Sequence, residues 1–368
     1  MRVLHVINNL GGGGAEKLIE QVVPKMNRAN IRTDVLLLTD RANVFGASLE
    51  RQGVSVYVIP LKNPYSPRNV KHIASFILSR NYDIVHAHLF PALYWTAFAS
   101  FLLWHSKPIF VVTEHNTHNR RRTKRYMRFI EKLVYSKYHG VISISKKTQE
   151  NLMTWLGIEK DDRFVVIYNG IDIDYFTEAK PYVKEEIDTG LDSDTYLLCM
   201  AGSFTAQKDQ KTVIRSLVHS PPQVHLLLVG DGPLRQECEE YAIELGVENR
   251  VHFLGFRHDV ARIMKSSDII VLSSRWEGFG LVAVEGMAAG KPVIATNVQG
   301  LSEVVEGAGI LFESGDDKKL AKEIVALLAD KERYQQVANM CSSRATCFSI
   351  SDMATRYLEF YSRLMQHQ

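Results

Sequence analysis

The chain of 368 residues is 46% apolar and 23% charged, so it can bury substantial cores and is too long for one ordinary domain. Its longest apolar stretch, residues 92–104, is too short to span a bilayer, and its four scattered cysteines lack metal-ligand spacing, as expected of reduced cytosolic thiols. The net charge of +3 is uneven, because residues 1–190 hold 26 Lys and Arg against 18 Asp and Glu, whereas residues 191–368 hold 18 against 23. The basic first half predicts an anionic partner, either a membrane surface or a phosphorylated acceptor.

Short β-branched segments alternate with helical patterns, which is typical of parallel sheets in α/β proteins. The first residues lead directly into a strand, so no secretory signal is expected. The predicted strands are 3–7, 34–39, 83–87, 109–113 and 141–144 in the first half, and 196–202, 224–229, 251–254, 269–272 and 292–296 in the second. The polar segment 177–195 is interpreted as a linker. We predict an α/β fold of two doubly wound Rossmann-like domains, 1–176 and 196–350, facing a cleft where strand carboxyl ends bind ligands.

Glycines and histidines follow the strands of the first half. Four glycines at 11–14 allow the backbone to pass close to a ligand, although a tight turn is an equal explanation. A dinucleotide-binding fingerprint does not fit, because its third glycine position is Glu16. His86, His88 and His115 lie at the ends of two further strands, where structural hydrogen bonding and a catalytic role are both open.

A basic segment follows, with six cations among nine residues and no acid between them: Arg120, Arg121, Arg122, Lys124, Arg125 and Arg128. Interleaved Tyr126, Met127 and Phe129 give it amphipathic character. A solvated helix face is the simplest alternative, and nucleic-acid binding lacks an accompanying motif. We interpret the segment as a contact with an anionic membrane or a lipid diphosphate, where each cation contributes about 1 kcal/mol.

The run 277–285 is the most informative motif of the second half. Two glutamates eight positions apart flank a Gly-Phe-Gly turn that opens a helix. Backbone N–H groups at such a helix start bind phosphate, and the two carboxylates can hold sugar hydroxyls, so the motif indicates a nucleotide-sugar site. Lys208 follows an earlier strand and can neutralise a diphosphate. Gly255 and Phe256 close another strand, where the backbone can meet a nucleobase; turn geometry is the alternative for such glycine motifs.

These motifs, in this order and spacing, resemble the family 4 glycosyltransferases, retaining enzymes with the two-domain GT-B fold. The resemblance covers nearly the whole chain and also includes 143–145, 169–172, 230–233, 290–295 and 300–303. It implies that the last segment, 351–368, is a helix that crosses back to the first domain.

The resemblance also implies roles for individual residues. Glu285 would hold the ribose hydroxyls, Glu277 would face the transferred sugar, and His115 would lie near the reacting centre. The amides of Gly280 and Leu281, with Lys208 beside them, would bind the β-phosphate. The expected catalytic residues are therefore His115, Glu277 and Lys208. Further expected donor contacts are Gly13, Gly14, Ser203, Gly255, Phe256 and Phe279, and the expected acceptor contacts are Gly12, Glu16 and His88.

One position departs from the family pattern. An Arg usually follows the glycine equivalent to Gly202, but this chain has Ser203, so Lys208 or an Arg of the first domain is expected to carry more of the diphosphate charge. Asp172 and Asp174 form an Asp-x-Asp string, a metal-binding motif of other glycosyltransferases. They precede the linker, and the GT-B fold typically needs no metal, so neither a metal nor another cofactor is expected.

The resemblance implies a retaining glycosyltransferase that moves a hexose or N-acetylhexosamine from a nucleotide sugar to a hydroxyl of a growing lipid-linked glycan in cell-surface polysaccharide assembly. UDP is favoured by family frequency, with GDP open. The expected partners are this donor, a glycan or lipid-diphosphate-linked acceptor and an anionic membrane surface, but no nucleic acid. The expected location is the cytoplasm, on the inner face of the cell membrane. The alternatives are a nucleotide-sugar-binding protein and a sugar-nucleotide epimerase of the same two-domain fold.

Overall fold

The computed structural model describes residues 1–27, 31–103, 108–117, 119–188 and 191–366. The chain forms two compact units, Met1–Gly170 with Ile350–Gln368, and Ile171–Ser349. The polar segment interpreted as a linker belongs to the second unit, because its side chains and amides find partners there. Thr177 Oγ1 donates to the carbonyl of Ala288 at 3.3 Å, and the Tyr182 amide donates to Ser266 Oγ at 2.7 Å.

Seven parallel strands form the sheet of the first unit. They are β1 (Arg2–Ile7), β2 (Arg32–Leu37), β3 (Ser55–Val58), β4 (Ile84–His88), β5 (Ile109–Glu114), β6 (Gly140–Ser143) and β7 (Phe164–Val166). Their order is β3-β2-β1-β4-β5-β6-β7, so the winding reverses between β1 and β4. The helices between them are α1 (Gly14–Met26), α2 (Gly46–Arg51), α3 (Asn69–Leu78), α4 (Ala92–Ser100), α5 (Met127–Tyr135) and α6 (Lys146–Leu156), with a 3₁₀ turn at Arg120–Thr123.

The second unit repeats this plan with six parallel strands. It begins with α7 (Ile173–Thr177) and α8 (Lys184–Ile187), and its strands are β8 (Tyr196–Ala201), β9 (Val224–Val229), β10 (Val251–Gly255), β11 (Ile269–Leu272), β12 (Val293–Thr296) and β13 (Ile310–Phe312). Their order is β10-β9-β8-β11-β12-β13, which reverses between β8 and β11. The accompanying helices are α9 (Gln210–Ser216), α10 (Arg235–Glu244), α11 (Val260–Ser266), α12 (Leu281–Ala288), α13 (Leu301–Val305), α14 (Asp317–Ala329) and α15 (Lys331–Ala345).

Both sheets confirm the predicted α/β class with doubly wound parallel strands. The prediction missed β3, β7 and β13, which are the outermost strands of their sheets. They have only three or four residues, several of them half-buried. β7 and β13 are apolar throughout, but a run of only three residues is a weaker signal than the longer apolar run of a central parallel strand buried on both faces.

The last helix, α16 (Ile350–Gln366), packs against α1 within the first unit. Its buried side chains join an apolar core that lies on one face of the sheet. Tyr357 and Tyr361 of this helix meet a polar exception in that core, the fully buried His86 of β4. Among the described residues, no helix combines the length and apolar character needed to cross a bilayer.

Candidate active site

The turn before α12 lies at the carboxyl edge of the second sheet, beside the reversal of strand order. Gly280 caps the helix with φ of 89° and ψ of 53°, a left-handed conformation that glycine adopts without steric cost. A side chain at this position would also meet Leu301, since an added Cβ would lie 2.5 Å from its Cδ1. The turn presents the first N–H groups of α12 at the sheet edge, in the arrangement that binds phosphate.

Gly300 is a second position in this region that only glycine can occupy. Its φ is 84°, and an added Cβ would lie 2.5 Å from the carbonyl oxygen of Glu277 and 2.7 Å from that of Gly278. The backbone at Gly300 therefore packs directly on the backbone of the turn. This contact fixes the turn relative to α13, which begins at the next residue.

Lys208 and Glu277 form an ion pair at the same edge. Lys208 Nζ contacts Glu277 Oε1, and Ser274 Oγ donates a 2.9 Å hydrogen bond to that oxygen. The Lys208 side chain is 19% exposed and the Glu277 side chain 9%, so the pair is largely shielded from water. Lys208 is the cation expected at the diphosphate, and in this structure it has an anionic partner. The sequence analysis did not predict this pairing or the hydrogen bond from Ser274. The position of Ser274 three residues before Glu277 was the available sequence signal for that hydrogen bond.

Hydrogen bonds join the loops that follow β8 and β11, and they fix the ion pair in place. Ser273 Oγ donates to the carbonyl of Asp209 at 2.8 Å, and the amide of Arg275 donates to the carbonyl of Gln207 at 2.8 Å. Arg275 Nε also lies 3.3 Å from a carboxylate oxygen of Asp209. Arg275 is exposed and was not predicted. It brings a second cation to a sheet edge that lacks the family's Arg at position 203.

The other predicted donor contacts differ in exposure. Glu285 is buried in the second turn of α12, and Phe279 is buried with its ring edge-on to Phe348 at a centroid distance of 5.4 Å. The Phe279 ring thus belongs to the core, and a role in donor binding would fall to its backbone. Ser203, after β8, and Phe256, after β10, are exposed at strand carboxyl ends, where an exposed aromatic ring is available to stack on a base.

In the first unit, the glycine loop after β1 opens α1. Residues 12–14 are exposed, and Gly13 is the N-cap of the helix. The Glu16 carboxylate folds back over this cap, because an added Cβ on Gly13 would lie 2.4 Å from Glu16 Oε2. Burial raises the pKa of Glu16. Asn8 was not predicted; its side chain joins this loop to the one after β4 by accepting from the Ala92 amide at 3.1 Å.

Three histidines from neighbouring strands form a chain of ring-to-ring contacts. His5 Nδ1 lies 3.0 Å from His88 Nε2, and His88 Nδ1 lies 3.1 Å from His115 Nε2. His5 and His88 are fully buried, whereas His115 is half-buried. Burial lowers the pKa of His5 to about 3 and that of His115 to about 4. The expectation that His88 contacts the acceptor is therefore wrong, because it is buried and both of its ring nitrogens face other histidines.

His86 adds a separate branch beside this chain. Its Nδ1 contacts the hydroxyl of Tyr361 at 2.5 Å, and its Nε2 contacts Thr113 Oγ1 at 2.7 Å. Ring nitrogens of His5, His86 and His88 lie within 4.8 Å of one another, close enough to share a metal ion. However, His86 and His88 already use both ring nitrogens in hydrogen bonds, so a metal would have to displace these bonds.

The basic segment divides into inward and outward side chains. Arg122 is 10% exposed and pairs with buried Glu114 at 2.6 Å and Glu131 at 3.1 Å. Burial raises the pKa of Glu114, but the Arg122 charge together with hydrogen bonds from the Tyr135 hydroxyl and the Asn116 amide outweighs it, and the pKa lies below its ordinary value. Arg121 also turns inward, with Nε 3.6 Å from Glu131 and its guanidinium 4.0 Å above the Phe90 ring.

Arg121 and Arg122 are therefore corrected from membrane contacts to internal ion pairs, which two buried carboxylates require. Lys124, Arg125 and Arg128 are exposed, and their contact with a membrane stays a prediction. The side chain of Arg120 lies outside the described part of the structure.

Two family models match the chain one after the other. The model described as Glycosyltransferase Family 4 matches residues 12–175, and the model described as Glycosyl transferases group 1 matches residues 184–342. The chain belongs to glycosyltransferase family 4. This confirms the resemblance that the motifs indicated.

Named relatives of this family 4 member match part of its length. N-acetyl-alpha-D-glucosaminyl L-malate synthase of Bacillus anthracis is 35% identical over 176 residues, which cover 46% of this chain and 46% of that protein. UDP-Gal:alpha-D-GlcNAc-diphosphoundecaprenol alpha-1,3-galactosyltransferase of Escherichia coli is 32% identical over 178 residues, 45% of each chain. The chain spans about half the length of the curated relatives it matches.

A solved structure matches over the full length. Alr3699/HepE of Anabaena, crystallised with UDP and glucose, superposes with a TM-score of 0.85 at 26% identity, covering 99% of this chain and 100% of that one. This agreement confirms the expected fold class.

Proposed function

We propose that this family 4 member is a retaining glycosyltransferase that moves a hexose or N-acetylhexosamine from a UDP-linked donor to a hydroxyl of a lipid-linked glycan. The observation that carries the proposal is the constellation in the second unit. An anion-binding helix start, a shielded lysine and two buried glutamates lie on the loops and helix that follow the strands at the reversal of sheet order.

In this proposal the diphosphate binds at the start of α12. The amides of Gly280 and Leu281 donate to the β-phosphate, and Lys208 turns from Glu277 to the same group. Glu277 is then released to accept hydrogen bonds from the sugar. Glu285 holds the ribose hydroxyls, and Phe256 stacks on the base.

The proposed reaction keeps the anomeric configuration by a front-face route. The bond between the sugar C1 and the β-phosphate oxygen breaks, and the acceptor oxygen bonds to C1 on the same face. The acceptor proton passes to the departing phosphate oxygen, so no protein carboxylate has to act as a nucleophile. The protein contributes orientation and stabilisation of the charge that develops on the diphosphate.

The relatives support this choice of donor and acceptor. Alr3699/HepE was crystallised with UDP-glucose as well as with UDP and glucose. The Escherichia coli relative is named for a UDP-galactose donor and a diphosphoundecaprenol-linked acceptor.

The test is a transfer assay with the purified protein. UDP- and GDP-sugars are first compared by thermal shift, and the stabilising donors are then incubated with and without a polyprenyl-diphosphate-linked sugar while nucleotide release is measured. Acceptor-dependent release, with a product of the same anomeric configuration as the donor by NMR, is expected. Binding without release would indicate a nucleotide-sugar-binding protein, and a changed sugar on the nucleotide would indicate an epimerase.

We further infer that helix α5 binds an anionic membrane. Its inward face is buried at Glu131 and Val134, but its outward face carries apolar residues where a soluble helix would be polar. Phe129 is 77% exposed and Leu133 47%, with Tyr126 and Ile130 on the same face. The exposed cations Lys124, Arg125, Arg128 and Lys132 lie beside this stripe. Cations around an exposed apolar stripe match a surface of anionic lipid headgroups over acyl chains.

Liposome flotation tests this inference with two variants. One reverses Lys124, Arg125 and Arg128 to Glu, and the other changes Phe129 and Leu133 to Ser. The control reverses three exposed lysines of the second unit, Lys318, Lys322 and Lys331, and so changes net charge equally. Both α5 variants should lose flotation with anionic vesicles, while the control floats and all three retain transfer to a short soluble acceptor. Unchanged flotation of both α5 variants would exclude α5 as the contact.

A further inference from the structure

The chain of His5, His88 and His115 has a protonation pattern that its geometry decides. All three imidazoles are neutral near pH 7, because burial lowers the pKa of each. A neutral imidazole has one N–H and one lone pair. Each of the two ring-to-ring hydrogen bonds needs one donor and one acceptor. Both hydrogen bonds must therefore donate in the same direction along the three histidines.

Two arrangements satisfy this condition. In the first, His5 Nδ1–H donates to His88, and His88 Nδ1–H donates to His115 Nε2. His115 then carries its proton on Nδ1. In the second, every proton is on Nε2, the donations are reversed, and His115 Nδ1 is a lone pair.

His5, the buried end of this row of histidines, decides between the two proton arrangements. His5 Nε2 has no hydrogen-bond partner among the described residues, and His5 is fully buried beneath α1 and α16. The first arrangement leaves a lone pair at this atom, whereas the second leaves an N–H group. A buried N–H without an acceptor is the rarer and more costly case, so the first arrangement is favoured.

We propose that His5 and His88 are positioning residues that hold His115 as its Nδ1–H tautomer, so that His115 meets the substrate as a hydrogen-bond donor and not as a base. Its place in the reaction rests on the function proposed above. There, His115 donates to an oxygen of the sugar or acceptor, and the departing diphosphate takes the acceptor proton. The row of hydrogen-bonded histidines ends at His5, which has no further partner to exchange a proton with. It therefore sets the tautomer of His115 and does not conduct protons.

The tautomer itself is measured without any substrate. Protein labelled with ¹⁵N-histidine is examined by long-range ¹H–¹⁵N correlation at pH 7, which distinguishes protonated from unprotonated ring nitrogens. The His115 signals are identified by their loss in His115→Gln. Protonated Nδ1 and unprotonated Nε2 are expected for His115 in the wild-type protein. The opposite pattern would overturn the proposal whether or not the protein transfers a sugar.

Two variants of His88 then test whether the buried residues impose this state. Gln at position 88 keeps an N–H that can donate to His115 Nε2, whereas Met has a similar length and no donor. His88→Gln should keep His115 in the Nδ1–H form, and His88→Met should move it toward Nε2–H.

If the proposed reaction is also correct, kcat should be at least tenfold lower in His88→Met than in His88→Gln, with little change in KM for the donor. Tautomers that do not differ between the two variants would refute positioning by His88. A tautomer change without loss of transfer would refute the role of His115 as a donor and leave the proposed function standing.

Discussion

The ion pair between Lys208 and Glu277 allows a test that distinguishes a structural role of the lysine from a ligand-binding role. The two changes are Lys208→Met, which keeps the apolar stem but removes the charge, and Glu277→Gln, which removes the competing anion. In the proposed complex, the lysine would make a charge-assisted bond to the diphosphate that is largely shielded from water and worth about 1.5–3 kcal/mol. Lys208→Met should therefore weaken UDP binding by roughly 10- to 100-fold.

The opposite change is expected for the glutamate. In the proposed complex Lys208 leaves Glu277 to reach the diphosphate, and the cost of breaking the pair is taken as about 1 kcal/mol, the upper end of the range for pairs with solvent access. Glu277→Gln should thus bind UDP about fivefold more tightly, although it transfers sugar more slowly because the contact to the sugar is weakened. Turnover of Lys208→Met should fall roughly 10²- to 10³-fold, as when one donor to a developing oxyanion is removed.

Isothermal titration with UDP and the transfer assay measure these effects. Lys211→Met is the matched control, since Lys211 is a half-exposed lysine three residues further on, paired with Glu237 at 3.1 Å. If Lys208 serves only to neutralise Glu277, the double variant Lys208→Met with Glu277→Gln will bind UDP like the wild type. That result, or unchanged UDP affinity in Lys208→Met alone, would refute the reasoning.

Three further predictions follow from the same structure. Gly300→Ala should abolish UDP binding by titration while the protein stays folded by circular dichroism, because the new methyl group displaces the Glu277 carbonyl; retained binding would contradict it. Arg122→Ala should lower the free energy of unfolding by about 3 kcal/mol, because it leaves buried carboxylates without their cation, whereas Arg125→Ala should change it by less than about 0.5 kcal/mol. Urea unfolding of both variants measures the difference. The free energy of unfolding should be highest above about pH 6.5 and fall toward pH 4. In this range His5 takes up a proton in the unfolded chain but not in the folded protein, where its pKa is lowered to about 3. Each such histidine contributes about 1.4 kcal/mol per pH unit, so His5→Phe should show a shallower pH dependence, and parallel curves would contradict the assignment.

The central strands could be predicted from sequence because a strand buried on both faces is a continuous apolar run. The prediction at 224–229 coincides with β9, and the prediction at 3–7 differs from β1 by one residue. Three of the four outer strands, β3, β7 and β13, were missed because they are short and partly exposed, whereas the longer outer strand β10 was predicted at 251–254. The polar segment after residue 176 lacks periodicity for another reason, because it packs on the second unit through individual hydrogen bonds.

Much of the candidate site was also predictable, because ligand-binding residues of parallel sheets follow strand ends. The pairing of side chains was not, since it depends on which strands are neighbours. His5 lies within an apolar strand, and nothing in the local sequence marks it. It becomes significant because β1 pairs with β4 and places His5 opposite His86, two residues from His88. Lys208 and Glu277 are 69 positions apart and meet because β8 pairs with β11.

The basic segment shows why a count of charges is an incomplete guide to membrane binding. Two of its arginines are internal, and the three cations that stay exposed contribute, together with Lys132, about 4 kcal/mol at an anionic surface. Insertion of Phe129 and Leu133 contributes about 1.5–3 kcal/mol for each side chain that becomes fully buried, so the apolar stripe should supply roughly half of the binding energy. Salt screens only the charged part. Flotation with anionic vesicles should therefore weaken but persist when the salt concentration is raised from 0.1 to about 0.5 M. In the variant with Lys124, Arg125 and Arg128 reversed to Glu, any residual flotation should strengthen with salt, because screening then weakens a repulsion. Complete release of the wild-type protein at high salt would mean that the stripe does not insert, and the contact would then be electrostatic alone.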